Sequence, residues 1–205
     1  DLGNIDTSTS RDELKKLVLV GGDINVATKE MQAFVEEADK VATVMKDDFG
    51  GSAEEAVTQI AKLKGEFKET RDLRIDDAMA RIGSTLKKLN LDSPASTAEI
   101  TDFLKRTGQI PDALKPAISQ LAAFGAVFAE ANLTSEVGAS GLSKIITTAA
   151  NNIAVFAKQM RISNNEAKNL LNTDPSKFVL KFASSLKGLN GVQTANTLKS
   201  LRLES

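Results

Sequence analysis

Apolar residues recur at helical spacing along almost the whole chain and runs of strict alternation are missing, which predicts an all-α protein with no sheet. The pattern is also interrupted at short intervals. Capping-box signals at Ser52 with Glu55 and at Ser96 with Glu99, and stops at Gly, Asn and Asp-Pro, divide it into helices of roughly 10 to 20 residues. Helices that short are marginal alone and must bury their apolar stripes against one another. The expected architecture is a compact array of about ten short helices.

Ser10 caps a first helix, RDELKKLVLV, expected to stop at Gly21-Gly22. Met31, Phe34, Val35, Ala38, Val41, Ala42 and Met45 share one stripe of a second helix, which residues 47–51 break. Ala53, Ala56, Val57, Ile60, Leu63 and Phe67 form the buried face of a third, ended by the loop KETRDLR. Ile75, Ala78, Met79, Ile82, Leu86 and Leu89 do the same for a fourth, closed by Asn90 and the turn LDSPAS. This turn is the best boundary candidate. It separates an N-terminal helical region, 1–92, from a C-terminal one, 93–205, unless the chain is one continuous domain.

In TAEITDFLKRTG, Ile100, Phe103 and Leu104 face inward and Gly108 terminates. The pattern changes over residues 114–131, where Leu121, Ala122, Ala123, Phe124, Ala126, Val127 and Phe128 cover nearly the whole circumference, as in a centrally buried helix. Gly125, with Gly138, Ala139 and Gly141 at the start of the next helix, allows close backbone approach. This pair is the expected packing centre of the second half, with Leu142, Ile145, Ile146 and Ala149 completing its contact face. NNIAVFAKQM, SNNEAKNLLN, DPSKFVLKFASSLKGLN and VQTANTLKSLRL read as four shorter helices, Pro175 after Asp174 marking a clear start.

Composition narrows the function. The 26 basic and 27 acidic residues read as interspersed, with a net charge of -1 that offers no long-range field for nucleic acid or an acidic lipid surface. The chain has no His, Cys, Trp or Tyr, so the usual general base near neutral pH, every thiolate and the nitrogen and sulfur ligands of zinc are missing. The longest uncharged run, PAISQLAAFGAVFA, is shorter than the roughly 18 to 20 residues of a membrane span. DLGNIDTSTSRDEL has neither an initiator Met nor a signal-peptide layout, so the chain is expected to be a piece of a longer protein.

Residues that could carry chemistry have simpler readings. The paired acids Glu36-Glu37, Asp47-Asp48, Glu54-Glu55 and Asp76-Asp77 would need to converge on one cleft to act as a hydrolase, and neighbours on a helix point about 100° apart. Gly21-Gly22 and Gly50-Gly51 lack the Gly-Lys-Ser/Thr continuation of a phosphate loop. Ser143-Lys144 are adjacent on a helix and cannot pair as a catalytic dyad. Asp174-Pro175 is a helix cap and not a calcium or magnesium loop. Lys15-Lys16, Lys62, Lys64, Lys68 and Lys87-Lys88 are surrounded by acids and read as solvated. No catalytic, cofactor-binding or metal-binding residue is expected.

Residues 80–188 resemble the conserved helical segment of phage tail tape measure proteins. Three stretches carry the likeness: ARIGSTLKKLNLDSPASTAEITDFLKRTGQ, ISQLAAFGAVFAEANLTSEVGASGLSKII and RISNNEAKNLLNTDPSKFVLKFASSLKGLN. The upstream VATKEMQAFVEEADKVATVMKDDFGGSAEEAVTQIAKL is similar to the part of the family in which a Glu-rich helix follows Gly-Gly. The resemblance implies a structural protein of the virion tail, made in the host bacterial cytoplasm, acting in tail assembly and length determination. Its implied partners are tail tube and tail-tip proteins, tail assembly chaperones and further copies of itself. The transmembrane and long coiled segments frequent in that family are not found in this sequence, and the helix stops imply a folded module rather than extended tape. The alternative reading is a non-viral helical bundle for protein-protein interaction or scaffolding, with an enzyme a distant third.

Overall fold

The computed structural model describes residues 9–203 and contains, among them, twelve α-helices and no strand. They are α1 (Arg11–Asp23), α2 (Met31–Met45), α3 (Ala53–Glu66), α4 (Lys68–Arg71), α5 (Ile75–Asp92), α6 (Thr97–Thr107), α7 (Ile118–Glu130), α8 (Ser135–Asn151), α9 (Ile153–Met160), α10 (Asn164–Thr173), α11 (Pro175–Ser185) and α12 (Gly191–Ser200). The all-α expectation holds. The helix beyond the sequence-based set is α4, a single turn within the stretch expected to be the loop KETRDLR.

Side-chain caps fix the helix starts. Ser10 and Ser96 each accept the N–H of the residue three positions on, Glu13 and Glu99, whose carboxylates accept the cap N–H in return. Ser52 makes only the forward bond, at 3.1 Å from the Glu55 N–H, because the Glu55 carboxylate bonds Gln59 instead. Asp174 accepts the Lys177 N–H at 3.0 Å, with Pro175 in the first helical position.

The first expected stop is corrected. α1 runs through Gly21-Gly22 to Asp23 and exits at Asn25, which takes the left-handed φ of 59° that Asn tolerates better than most residues. Gly21 serves packing: a Cβ there would lie 2.6 Å from Met31 Sδ and 2.9 Å from the Phe34 ring. Gly50 and Gly51, by contrast, adopt φ of 68° and 81° and end the short 3₁₀ turn Lys46–Phe49.

α1, α2, α3 and α5 pack as one group, α6, α7 and α8 as a second, and α9, α10 and α11 as a third. α6 joins the first two by touching α3 and α5 on one side and α7 and α8 on the other. Its buried residues include Thr97, Thr101 and Thr107 besides Ile100, Phe103 and Leu104. The centrally buried helix is therefore α6, and not the stretch at 114–131. That stretch is corrected in two respects. Pro116 disfavours helical geometry at Lys115, so α7 begins only at Ile118. The helix is covered on one face, formed by Ile118, Leu121, Ala122, Gly125 and Ala126, while Ala123 and Val127 are exposed.

The glycine contacts separate packing from conformation. Gly21→Val is expected to destabilise the fold by about 1–3 kcal/mol through overpacking. Gly22→Ala, which meets nothing within 4 Å, is expected to stabilise it by about 0.5–1 kcal/mol through helix propensity. Urea unfolding of the two variants checks both signs.

Candidate functional site

An apolar groove of about 500 Å³ opens between α7 and α11, lined by Gln120, Ala123, Phe124, Val127, Asp174, Ser176, Lys177 and Leu180. Residues 120, 123, 124 and 127 follow the i, i+3, i+4, i+7 spacing of one helix stripe. Val127 and Leu180 are each 56% exposed. Gln120 donates to the Asp174 carboxylate at 3.5 Å, which joins the first turn of α7 to the N-cap of α11. Phe124 stacks on Phe128, which packs on Phe103, with centroid separations of 6.2 and 5.7 Å. The groove wall is thereby anchored to α6. Such a surface can bind another apolar face.

The acid pairs are distributed over separate elements. Glu37 pairs with Lys40 at 3.0 Å and Glu36 accepts from Gln32. Glu54 meets Lys16 at 3.1 Å and Asp76 meets Arg74 at 3.1 Å. Glu54-Glu55 and Asp76-Asp77 stand in first turns of α3 and α5, where carboxylates complement the helix dipole, and Asp47-Asp48 lie in the 3₁₀ turn. Ser143 and Lys144 are successive residues of α8, and the Ser143 carbonyl accepts the Thr147 hydroxyl. Among the lysines, Lys15 pairs with Asp12 and Lys64 donates to the Arg71 carbonyl, while Lys62, Lys68 and Lys87-Lys88 are exposed. Among the described residues no three Asp or Glu side chains cluster as a metal site.

A buried charged junction escaped the sequence reading. Lys115, with a side chain only 6% exposed, donates to the carbonyls of Glu66 and Gly108 at 2.7 Å each and pairs with Asp112 at 3.2 Å. Its ammonium lies 5.6 Å from the Phe67 ring centroid. Arg71 grips Asp112 with two bonds, of 2.8 and 3.3 Å. Glu69 accepts the Ile118 N–H at 2.6 Å and so caps α7, which has no Ser or Thr to do it. Hydrogen bonds from Arg71 and then Lys115 hold the Asp112 carboxyl down from 3.8 to about 2. The junction ties α3, α4 and the loop after α6 to the start of α7.

The reading of charge as interspersed is also corrected. Residues 151–205 carry eight Lys or Arg against three Asp or Glu, net +5, whereas residues 1–150 carry eighteen against twenty-four, net -6. Lys158, Arg161 and Lys187 line a polar pocket where the ends of α9, α11 and α12 meet. Their charges face the carbonyl ends of three helices, which is sufficient reason for cations there.

Residues 1–202 match the protein family described as phage-related minor tail protein. Neither the curated proteins nor the solved structures give a match to the chain.

Two outcomes follow from the junction. Lys115→Met leaves the Glu66 and Gly108 carbonyls without their donor and is expected to cost about 2 kcal/mol or more in urea unfolding. Asp112 has a depressed folded pKa, so its stabilisation is present above about pH 4 and is lost as pH falls toward 2. Asp112→Asn should flatten the dependence of the urea midpoint on pH across that window. A remaining slope of the same sign comes from Asp12, Glu13 and Glu54, which hydrogen bonds also hold below their ordinary values.

Proposed function

The chain belongs to the phage-related minor tail protein family, and from that membership we propose that it is a compact structural module of a tail tape measure protein. In this reading it acts in tail assembly and length determination without catalysing a reaction. It works through its surfaces, meeting tail tube and tail-tip proteins, tail assembly chaperones and other copies of itself, in the virion tail and, during assembly, in the host cytoplasm. The two helical regions, 1–92 and 93–205, act together in it.

One observation carries the reading of a folded module: the apolar core is a single cluster that extends from Leu14 to Leu201. A continuous helix of 205 residues would span about 300 Å. The longest helix here is the 18-residue α5, about 27 Å by the same rise. Straightening the chain would return the whole cluster to water, at about 25 cal/mol for each Å² of apolar surface. A segment with such a core adds little to a ruler's length and contributes as a body. The order of helix, cap and small residue that resembles tape measure proteins supports the same assignment.

In-frame deletion of the segment from its parent gene tests this. With tail lengths measured by negative-stain electron microscopy, missing tails, or tails of unchanged length on non-infectious particles, are expected. Tails shortened by about 300 Å, the length of a continuous helix, would overturn the compact module.

A further inference from the structure

The pocket where α9, α11 and α12 end has a volume of about 630 Å³ and is lined by Lys158, Arg161 and Lys187 and by no carboxylate. Among the described residues, none of these three cations makes an ion pair or a side-chain hydrogen bond. The acids nearest in sequence are used elsewhere: Glu166 meets Lys181 at 4.0 Å, and Asp174 caps α11. The carbonyl ends of the three helices explain why cations gather here. Each end carries only about half a negative charge, however, so together they offset about half of the three full positive charges. The surplus has no partner within the described chain.

The backbone sets this end apart as well. Two of the described non-glycine residues with a left-handed φ are Asn25 and Asn132, of the type that tolerates it, but the other two are Arg161 at 57° and Arg202 at 56°, just beyond α9 and α12. Helices usually exit through glycine or asparagine there, so an arginine holds its guanidinium at the helix end at a conformational cost. The walls are fixed in advance. Phe156 of α9 packs on Phe182 of α11 with ring centroids 5.0 Å apart, Gln159 donates to the Ser185 carbonyl at 3.0 Å, and Leu201 is buried. The backbone positions of the cations are thus set before any ligand arrives. We infer that this pocket binds a phosphate-bearing anion. Arg161 meets the phosphate oxygens with its planar fork, and Lys158 and Lys187 act as point charges. A multiply charged oxyanion matches the surplus better than chloride or a single carboxylate, and the volume admits linked phosphates. The site goes beyond the reading of a tail module and does not rest on it.

Phosphorus NMR titration of pyrophosphate with the 205-residue chain, at about 0.05 and 0.5 M NaCl, tests the site. One saturable site of millimolar affinity or tighter is expected, weaker at the higher salt because Lys158, Arg161 and Lys187 are exposed. Arg161→Gly should weaken binding by at least about threefold while raising the urea midpoint, since glycine takes the left-handed φ without strain. That opposite movement of affinity and stability separates a lost ligand contact from a damaged fold. Lys187→Gln should weaken binding to a similar degree, and Lys87→Gln, at an exposed lysine of α5, should leave it unchanged. The absence of saturable binding at the lower salt overturns the inference. So does binding indifferent to Arg161→Gly and Lys187→Gln, or binding weakened equally by Lys87→Gln, which would signal net charge alone. A short oligothymidylate added as competitor identifies the source of the phosphate. Displacement of pyrophosphate from the site assigns it to a nucleic-acid backbone, and retention to a free phosphorylated molecule, both of which are outcomes of an existing site.

Discussion

The close approach of α6 and α7 is the contact on which the arrangement of the other helices depends. A Cβ on Gly125 would stand 3.0 to 3.3 Å from the Phe103 side chain, so the absence of one lets the ring lie directly on the α7 backbone. Phe128, one turn on, packs on Phe103 as well, and Gly138 of α8 accommodates Phe128 in turn, since a Cβ there would be 2.7 Å from its ring. Two glycines and two rings thus fix three helices. α3 and α5 touch α6, and α5 touches α7 as well, so the same ring contact helps set where the first helices sit against the α6–α8 group. The buried threonines of α6 suit that position: they are small, and the Thr107 hydroxyl returns its hydrogen to the Leu104 carbonyl 2.9 Å away.

Much of this was legible because it is written locally. The stripe from Phe34 to Met45, the caps at Ser10, Ser52, Ser96 and Asp174, and the glycine exit at 50–51 each depend on residues within a turn or two, and each is found where the pattern puts it. What was not legible depends on distant partners. Gly21 reads as a stop until Met31 and Phe34 are seen against it. The N-cap of α7 is Ala117, whose N–H the Gln120 side chain accepts, but the carboxylate that accepts the Ile118 N–H, Glu69, comes from 49 residues earlier. The buried role of Lys115 likewise needs the Glu66 carbonyl, also 49 residues away. The α7/α11 groove was half visible: the all-round apolar pattern was correct as composition, but periodicity cannot say that one side has no intramolecular neighbour.

Net charge conceals more than it shows here. A chain of net charge -1 carries +5 over its last 55 residues because the opposing excess lies in the first 150. The ends of α9, α11 and α12 place Lys158, Arg161 and Lys187 where carbonyl ends converge, which lowers the cost of gathering like charges. That is a local electrostatic solution within the fold, and it leaves this end polar and well solvated. The apolar groove, whose charged lining residues Asp174 and Lys177 lie one turn apart on the same helix, is electrostatically neutral at that scale.

A body and a measuring rod make opposite demands on the same helices. A rod gains length from uninterrupted helix and requires no long-range contact, so it has no use for a cap every 10 to 20 residues or for glycines that seat rings. This chain has both, together with a junction in which Lys115, Asp112 and Arg71 bind the end of α3 and α4 to the loop before α7. Those features add nothing to an extended chain and stabilise only the folded one. Exposure follows the same logic: the core encloses six phenylalanines almost completely, yet Val127 and Leu180 stay in water on adjacent helices. A sequence able to bury Phe103 beneath a glycine could readily have placed polar residues at 127 and 180, so apolar side chains there are best explained by a surface that is covered once the molecule is assembled.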